Sequence, residues 1–212
     1  LNSMFEASAK RISGIASVRV NQEASSNNDT GSNRSTLEII SDDFPFLVDS
    51  FKMVMDSMDI SCYAIVHPVL SVSRDNSGQL TSIPGDINES VVWMEIERQT
   101  PEAANALIAA IKNTIQDVRV SVEDWQAMRD KMLKVAENVA DQRHENSEIE
   151  PAEAKLFLQW AAENHFTFLG YREYKLTQVG NEVQLNAVPY TGLGLLRDDR
   201  HSAHARPVKS LG

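Results

Sequence analysis

Residues 41–54 read Ser-Asp-Asp-Phe-Pro-Phe-Leu-Val-Asp-Ser-Phe-Lys-Met-Val, and the change of period across them decides the fold. Just before them, Leu37 and Ile39 alternate with Thr36, Glu38 and Ser41, the two-residue period of a half-buried strand. From Leu47 onward, Phe51, Val54 and Met58 follow at helical spacing. Between the two periods lie Asp42, Asp43 and Pro45. A carboxylate there suits the free N–H groups of a helix start, and proline suits an early helical position. The first expectation is that Asp42 or Asp43 is an N-cap, worth ~0.5–2 kcal/mol. The second is a ligand-binding turn made of Asp42, Asp43, Phe44 and Phe46. Free N–H groups at a helix start attract a carboxylate while an Asp side chain can hold an ammonium, and an amino acid carries both groups.

Working outward, residues 61–73 are β-rich on both faces, with Pro68 marking an edge or a bulge because it cannot donate to a ladder. A turn at residues 75–78 and a loop over 79–88 lead to residues 89–97. There Val92, Met94 and Ile96 alternate with Trp93, Glu95 and Glu97, which predicts a strand antiparallel to its predecessor. Thr100-Pro101-Glu102 is a strong helix start, followed by the apolar stripe Ala104, Leu107, Ile108, Ile111 and Ile115. Val118, Val120 and Val122 alternate as a fourth strand. The order from residue 35 to 122 is then β-α-β-β-α-β, an α+β ferredoxin-like sandwich with both helices on one face of a four-stranded antiparallel sheet.

The flanks are read in the same way. Residues 1–34 carry a short helical pattern (Met4, Phe5, Ala9, Ile12), a strand over 15–20 and a polar Asn/Ser/Asp/Gly loop. The sandwich occupies 35–123. Residues 124–150 hold a connecting helix, with Trp125, Met128, Met132, Val135 and Val139 as its seam, and then an acidic linker. Pro151 opens a fourth helix with Ala154, Phe157, Leu158 and Ala161 inward. A hairpin follows, so 151–212 reads as the start of a second, partial α+β unit. Tyr63 and Trp93, on neighbouring strands, share the sheet face away from the helices. With Trp125 they are candidate subunit or domain contacts, burial beneath the third helix being the plain alternative.

With 212 residues, 42% apolar and 24% charged, the composition is that of a water-soluble chain, and no apolar run approaches the ~20 residues of a membrane span. A net charge of −10 disfavours nucleic acid and anionic membranes as partners. The single cysteine, Cys62, precludes an internal disulfide and suits a reducing, cytoplasmic compartment. No catalytic set emerges. Gly192-Leu-Gly194 lacks a third glycine, and His201 and His204 have no partner ligands at metal spacing. His67 reads as a sheet histidine, and Asp42, Asp43 and Asp49 offer too few oxygens for a cation. The expectation is no catalytic residue, no metal and no cofactor within these residues.

The sandwich with its acidic, proline-containing first turn resembles the ACT domain, a regulatory module that commonly binds amino acids between its first strand and first helix and often pairs across subunits. A closer likeness is to the N-terminal region of the large bacterial NAD-specific glutamate dehydrogenases. It is carried by Asp42-Asp-Phe-Pro-Phe-Leu-Val-Asp-Ser50, Val66-His-Pro-Val69, Val122-Glu-Asp-Trp125, Asn164-His-Phe-Thr-Phe-Leu-Gly-Tyr171 and Gly192-Leu-Gly-Leu-Leu-Arg-Asp198. Phe46 departs from the usual ACT pattern, standing where a glycine commonly follows the proline. The resemblance implies a parent enzyme that oxidatively deaminates L-glutamate to 2-oxoglutarate and ammonia with NAD, in a catalytic region downstream. These residues would then be a non-catalytic regulatory or assembly part of a homo-oligomer, with an amino-acid effector or with a purely structural role.

Overall fold

A computed structural model describes residues 9–21, 34–139, 150–179, 182–198 and 207–208. The chain divides into two compact units, residues 1–118 and 119–212.

The first unit is built on β1 (Ser17–Asn21), β2 (Arg34–Asp42), α1 (Leu47–Ser57), β3 (Cys62–Val66), β4 (Val69–Arg74), β5 (Leu80–Glu97) and most of α2 (Pro101–Glu123). All pairings in its sheet are antiparallel and the order is β1-β2-β5-β3, with β4 continuing beside β5. Val18, Leu37, Ile39, Val92, Met94 and Ile96 from the sheet join Leu47, Phe51 and Met55 of α1 and Leu107, Ile111 and Ile115 of α2 in one buried cluster. Both helices therefore cover the same sheet face, as the two periods required. The capped start of α2 is also as expected, Thr100 Oγ1 accepting the Ala103 N–H at 3.2 Å.

The fourth strand is where the sequence reading fails. Residues 118–122 are helical, because Val118 and Val122 also extend the stripe Leu107, Ile111, Ile115 at i+3 and i+4 steps, and no glycine or proline interrupts the helix. Extending a formed helix is far easier than nucleating a new element, so the 3.6-residue period wins over the alternation. The edge beside β2 is filled by β1, which pairs Val18 with Ile39 and Val20 with Leu37. The sandwich is α+β and antiparallel, with its edge strand supplied from the N-terminal side.

Two further expectations change. Residues 80–88 are not a loop but the first half of β5, running against β4 across the Asp75–Gly78 turn. The register shifts between Val72 and Ser73, and Pro84 and Gly85 occupy the bulge. A Cβ on Gly85 would lie 2.0 Å from the Val72 carbonyl carbon, so only glycine fits this backbone approach. Secondly, α1 has no side-chain cap. Its N-cap position is Phe46 at φ 70°, and Asp42 closes β2 instead.

Residues 1–8 and 22–33, which bear most of the expected N-terminal helix and loop, lie outside the described residues, and Lys10 forms a bridge with Gln79.

The second unit contains α3 (Trp125–Val139), α4 (Pro151–Trp160), a π-helical turn at Ala161–His165, and short strands β6 (Gly170–Tyr171), β7 (Tyr174–Val179), β8 (Glu182–Ala187), β9 (Leu193–Gly194) and β10 (Pro207–Val208). The expected hairpin exists as β7 and β8. Phe157, expected inward, is 55% exposed, and among described residues the buried side of this helical stretch is carried by Ala161 and Ala162. The acidic linker expected at residues 142–150 lies, apart from Glu150, outside the described residues.

Candidate functional site

The acidic corner at the end of β2 is occupied by the protein's own arginines. Asp42 Oδ1 accepts from Arg11 Nη2 at 2.7 Å, and Asp42 Oδ2 accepts the Gly14 N–H at 3.0 Å. Arg11 also donates through Nε and Nη2 to Glu89 Oε1 at 2.9 and 2.7 Å. Arg74 grips the same carboxylate from β4, its Nε 2.6 Å from Oε1 and its Nη2 2.7 Å from Oε2. The Arg11, Arg74 and Glu89 side chains are only 2%, 4% and 2% exposed, so they form a buried arginine–carboxylate–arginine stack with Asp42 at its rim. Burial pushes the Glu89 carboxyl up, but the hydrogen bonds and charges of Arg74 and Arg11 outweigh it and hold the group below its ordinary value of 4.5.

The network ties three sequence-distant pieces together. Gly78, at the β4–β5 turn, accepts the Arg11 backbone N–H and an Arg74 Nη1 bond, both at 2.9 Å. Its φ is +84°, and a Cβ there would sit 2.5 Å from the Arg11 carbonyl oxygen. Gly78→Ala is therefore expected to lower stability by roughly 1–3 kcal/mol. A fall in Tm on thermal denaturation checks it, and an unchanged or raised Tm contradicts the placement.

Beyond that network the turn is open. Asp43 is exposed and its N–H donates to Asn88 O at 3.3 Å. Phe46 is 55% exposed, and Phe44 packs against the core cluster. On the opposite face of the sheet, Tyr63 is 50% exposed beneath the Arg34 guanidinium, 4.4 Å from the ring centroid, and Arg34 pairs with Glu95 at 2.9 Å. Trp93, half-buried, is on that face beside them, since its neighbours Val92 and Met94 point into the core. His67 meets the buried Ser90 hydroxyl at 2.5 Å, a contact that holds the β3–β4 break against β5. No group of His, Cys, Asp and Glu side chains fit to hold a metal occurs among the described residues, and His201 and His204 lie outside them.

The family description "Glutamate dehydrogenase, ACT1 domain" matches residues 1–111, a span that takes in β1, the whole sheet and both covering helices as far as Ile111. The chain belongs to this glutamate dehydrogenase ACT1 family. It is similar to the NAD-specific glutamate dehydrogenase of Halomonas elongata, 29% identical over 187 residues, covering 83% of this chain and 12% of the relative. It is likewise similar to the protein of the same name from Pseudomonas aeruginosa, 31% identical over 186 residues, 80% of this chain and 12% of the relative. The chain thus spans about 12% of the length of the curated relatives it matches.

In this ACT1 domain the four turn residues singled out from sequence sit together, but they differ in role. Asp42 is committed to Arg11 and Gly14, whereas Asp43 and Phe46 face outward. Tyr63 and Trp93 share the sheet face away from the helices, where Glu38, Ile40 and Val91 are buried, and Trp125, half-buried, belongs to the second unit. The residues missed from sequence are Arg11, Arg74 and Glu89. Glu89 stands 78 residues from Arg11, so no local pattern links them. The signal available was a pair of opposite charges, Arg74 and Glu89, flanking a hairpin turn on strands expected to be half-buried.

Beyond residue 118, separate stretches of the glutamate dehydrogenase likeness meet in the second unit. Asp124 accepts from the Gly194 N–H at 2.7 Å and from Arg197 Nη2 at 2.7 Å, and Leu169 O accepts from Ser121 Oγ at 3.2 Å. Arg197 and the Gly194 N–H hold the Asp124 carboxyl below its ordinary value, despite the opposing effect of partial burial. Among described residues, no helix is long and apolar enough to cross a membrane.

Proposed function

We propose that these residues are a non-catalytic regulatory or assembly segment of an NAD-dependent glutamate dehydrogenase that acts in the cytoplasm, with NAD and L-glutamate bound by a catalytic region elsewhere in the parent chain. The observation that carries this reading is the likeness over 80% or more of this chain to only 12% of proteins named NAD-specific glutamate dehydrogenase. The parent oxidatively deaminates L-glutamate to 2-oxoglutarate and ammonia, and this segment positions or tunes that catalytic region within a homo-oligomer. The isolated chain is expected to form no NADH from NAD and L-glutamate even at high protein concentration. The full-length Pseudomonas aeruginosa relative should form it, and its deletion variant lacking the matching segment should change its subunit number or its response to amino acids. NADH formation by the isolated chain, or a deletion variant with unchanged assembly and regulation, overturns the proposal.

Of the two roles, the filled acidic corner favours assembly. Asp42, the carboxylate best placed for an effector ammonium, already holds a guanidinium and a backbone N–H. The exposed Tyr63 and the half-buried Trp93 beside it supply the contact surface, and Tyr63→Ser is expected to lower the association state seen by light scattering. The effector role is left to Asp43, Phe44 and Phe46. Calorimetry with a panel of amino acids distinguishes the two. Heat of binding that Asp43→Ala abolishes restores the effector role, and silence across the panel leaves assembly.

A further inference from the structure

The second unit contains a cleft of about 270 Å³ lined by Lys131, Lys134, Val135, Asn138, Tyr171 and Glu173. The first four stand at i, i+3, i+4 and i+7 on α3, one helix face, while Tyr171 and Glu173 form the facing wall from β6 and the link to β7. That wall is fixed before any ligand arrives. Lys131 Nζ donates to Glu173 Oε1 at 2.8 Å and the Tyr171 hydroxyl donates to the same oxygen at 3.0 Å. The Glu173 backbone is held on both sides, its N–H donating to Thr191 Oγ1 at 3.1 Å and its carbonyl accepting the Val188 N–H at 2.8 Å.

Charge then selects the ligand. Glu173 neutralises Lys131, and Lys134 adds a second ammonium, so the lining carries a net positive charge inside an acidic chain. We propose that this cleft binds a small organic carboxylate, its oxygens on the Lys134 ammonium and the Asn138 amide and its short carbon skeleton against Val135 and the Tyr171 ring. A lining with a net positive charge and an amide matches a singly charged, planar carboxylate. Phosphate, with more charge and more acceptors, calls for an arginine fork or a nest of backbone N–H groups, and the lining offers neither. The Glu173 carboxylate repels a dianion further and gives an amino group on the same ligand a partner. This site is separate from the turn at residues 42–46 and stands whether or not that turn takes an effector.

The test is an NMR titration of the isotope-labelled 212-residue chain with propionate, butyrate, inorganic phosphate and propylamine at constant ionic strength. The carboxylates are expected to shift the amides of Lys134, Asn138 and Tyr171 saturably, with a dissociation constant on the order of 1 mM. Lys134→Gln should weaken that binding roughly tenfold, while Lys112→Gln on α2 leaves it unchanged. Asn138→Leu keeps the charge and removes the amide, and it too should weaken binding, which guards against a folding effect of the lysine change. Non-saturable shifts, phosphate bound more tightly than both carboxylates, or carboxylate binding indifferent to Lys134→Gln and Asn138→Leu overturns the assignment.

Discussion

Glu89→Gln is expected to lower the unfolding free energy by about 3–5 kcal/mol, because it strips the shared carboxylate from two buried guanidinium groups, leaving Arg74 uncompensated and Arg11 with Asp42 alone. The substitution preserves shape, so the loss is electrostatic and in hydrogen bonding rather than in packing. Urea unfolding followed by tryptophan fluorescence measures it as a lower midpoint with an unchanged slope. A loss below about 1 kcal/mol, the range of exposed ion pairs, would mean that the stack is not buried as described.

The same residue gives a pH dependence whose sign is fixed. The folded-state pKa of Glu89 lies below its ordinary value of 4.5, since the two arginines outweigh burial. Its contribution to stability is therefore complete above the unfolded value and is lost as the pH falls through the depressed folded value. Acidification from about pH 4.5 downward should destabilise the wild-type chain more steeply than Glu89→Gln. Parallel curves for the two proteins would contradict the assignment.

Phe51→Ala is the second large effect, expected to cost about 3–5 kcal/mol. Phe51 is fully buried between the two helices and the sheet, among Leu37, Val92, Met94, Leu107 and Ile111. Removing the ring forfeits its transfer free energy and leaves a void that secondary structure on three sides cannot close. Met53, two residues along the same helix, is 70% exposed, and Met53→Ala should stay within about 0.5 kcal/mol of wild type. Comparable losses for the two would place α1 the wrong way round on the sheet.

How far the sequence could be read follows from what each residue's neighbours in space are. The strand, turn and helix of residues 36–58 were legible because their periods are local, and Leu47 and Ile111 fall on one side of the sheet as the periods implied. The start of α2 was legible from Thr100 and Pro101. Residues 118–122 were not, because five residues with valine at every second place satisfy both periods, and only continuity with Ile115 decides between them. Asp42 read as a cap because an acid before a helix usually is one, but its partner lies 31 residues upstream in a segment without a strong period. The open turn and the Tyr63 and Trp93 face were found from sequence as places. What they bind is a question of chemistry across elements, which a one-dimensional pattern does not contain.

β1 closes the sheet beside β2 while residues 118–122 stay helical. Long-range proton NOEs test it most directly. Cross-strand contacts are expected between Val18 and Ile39 and between Val20 and Leu37, with sequential helical amide contacts from Val118 to Val122. Cross-strand contacts from residues 118–122 to β2, with none from β1, would contradict it.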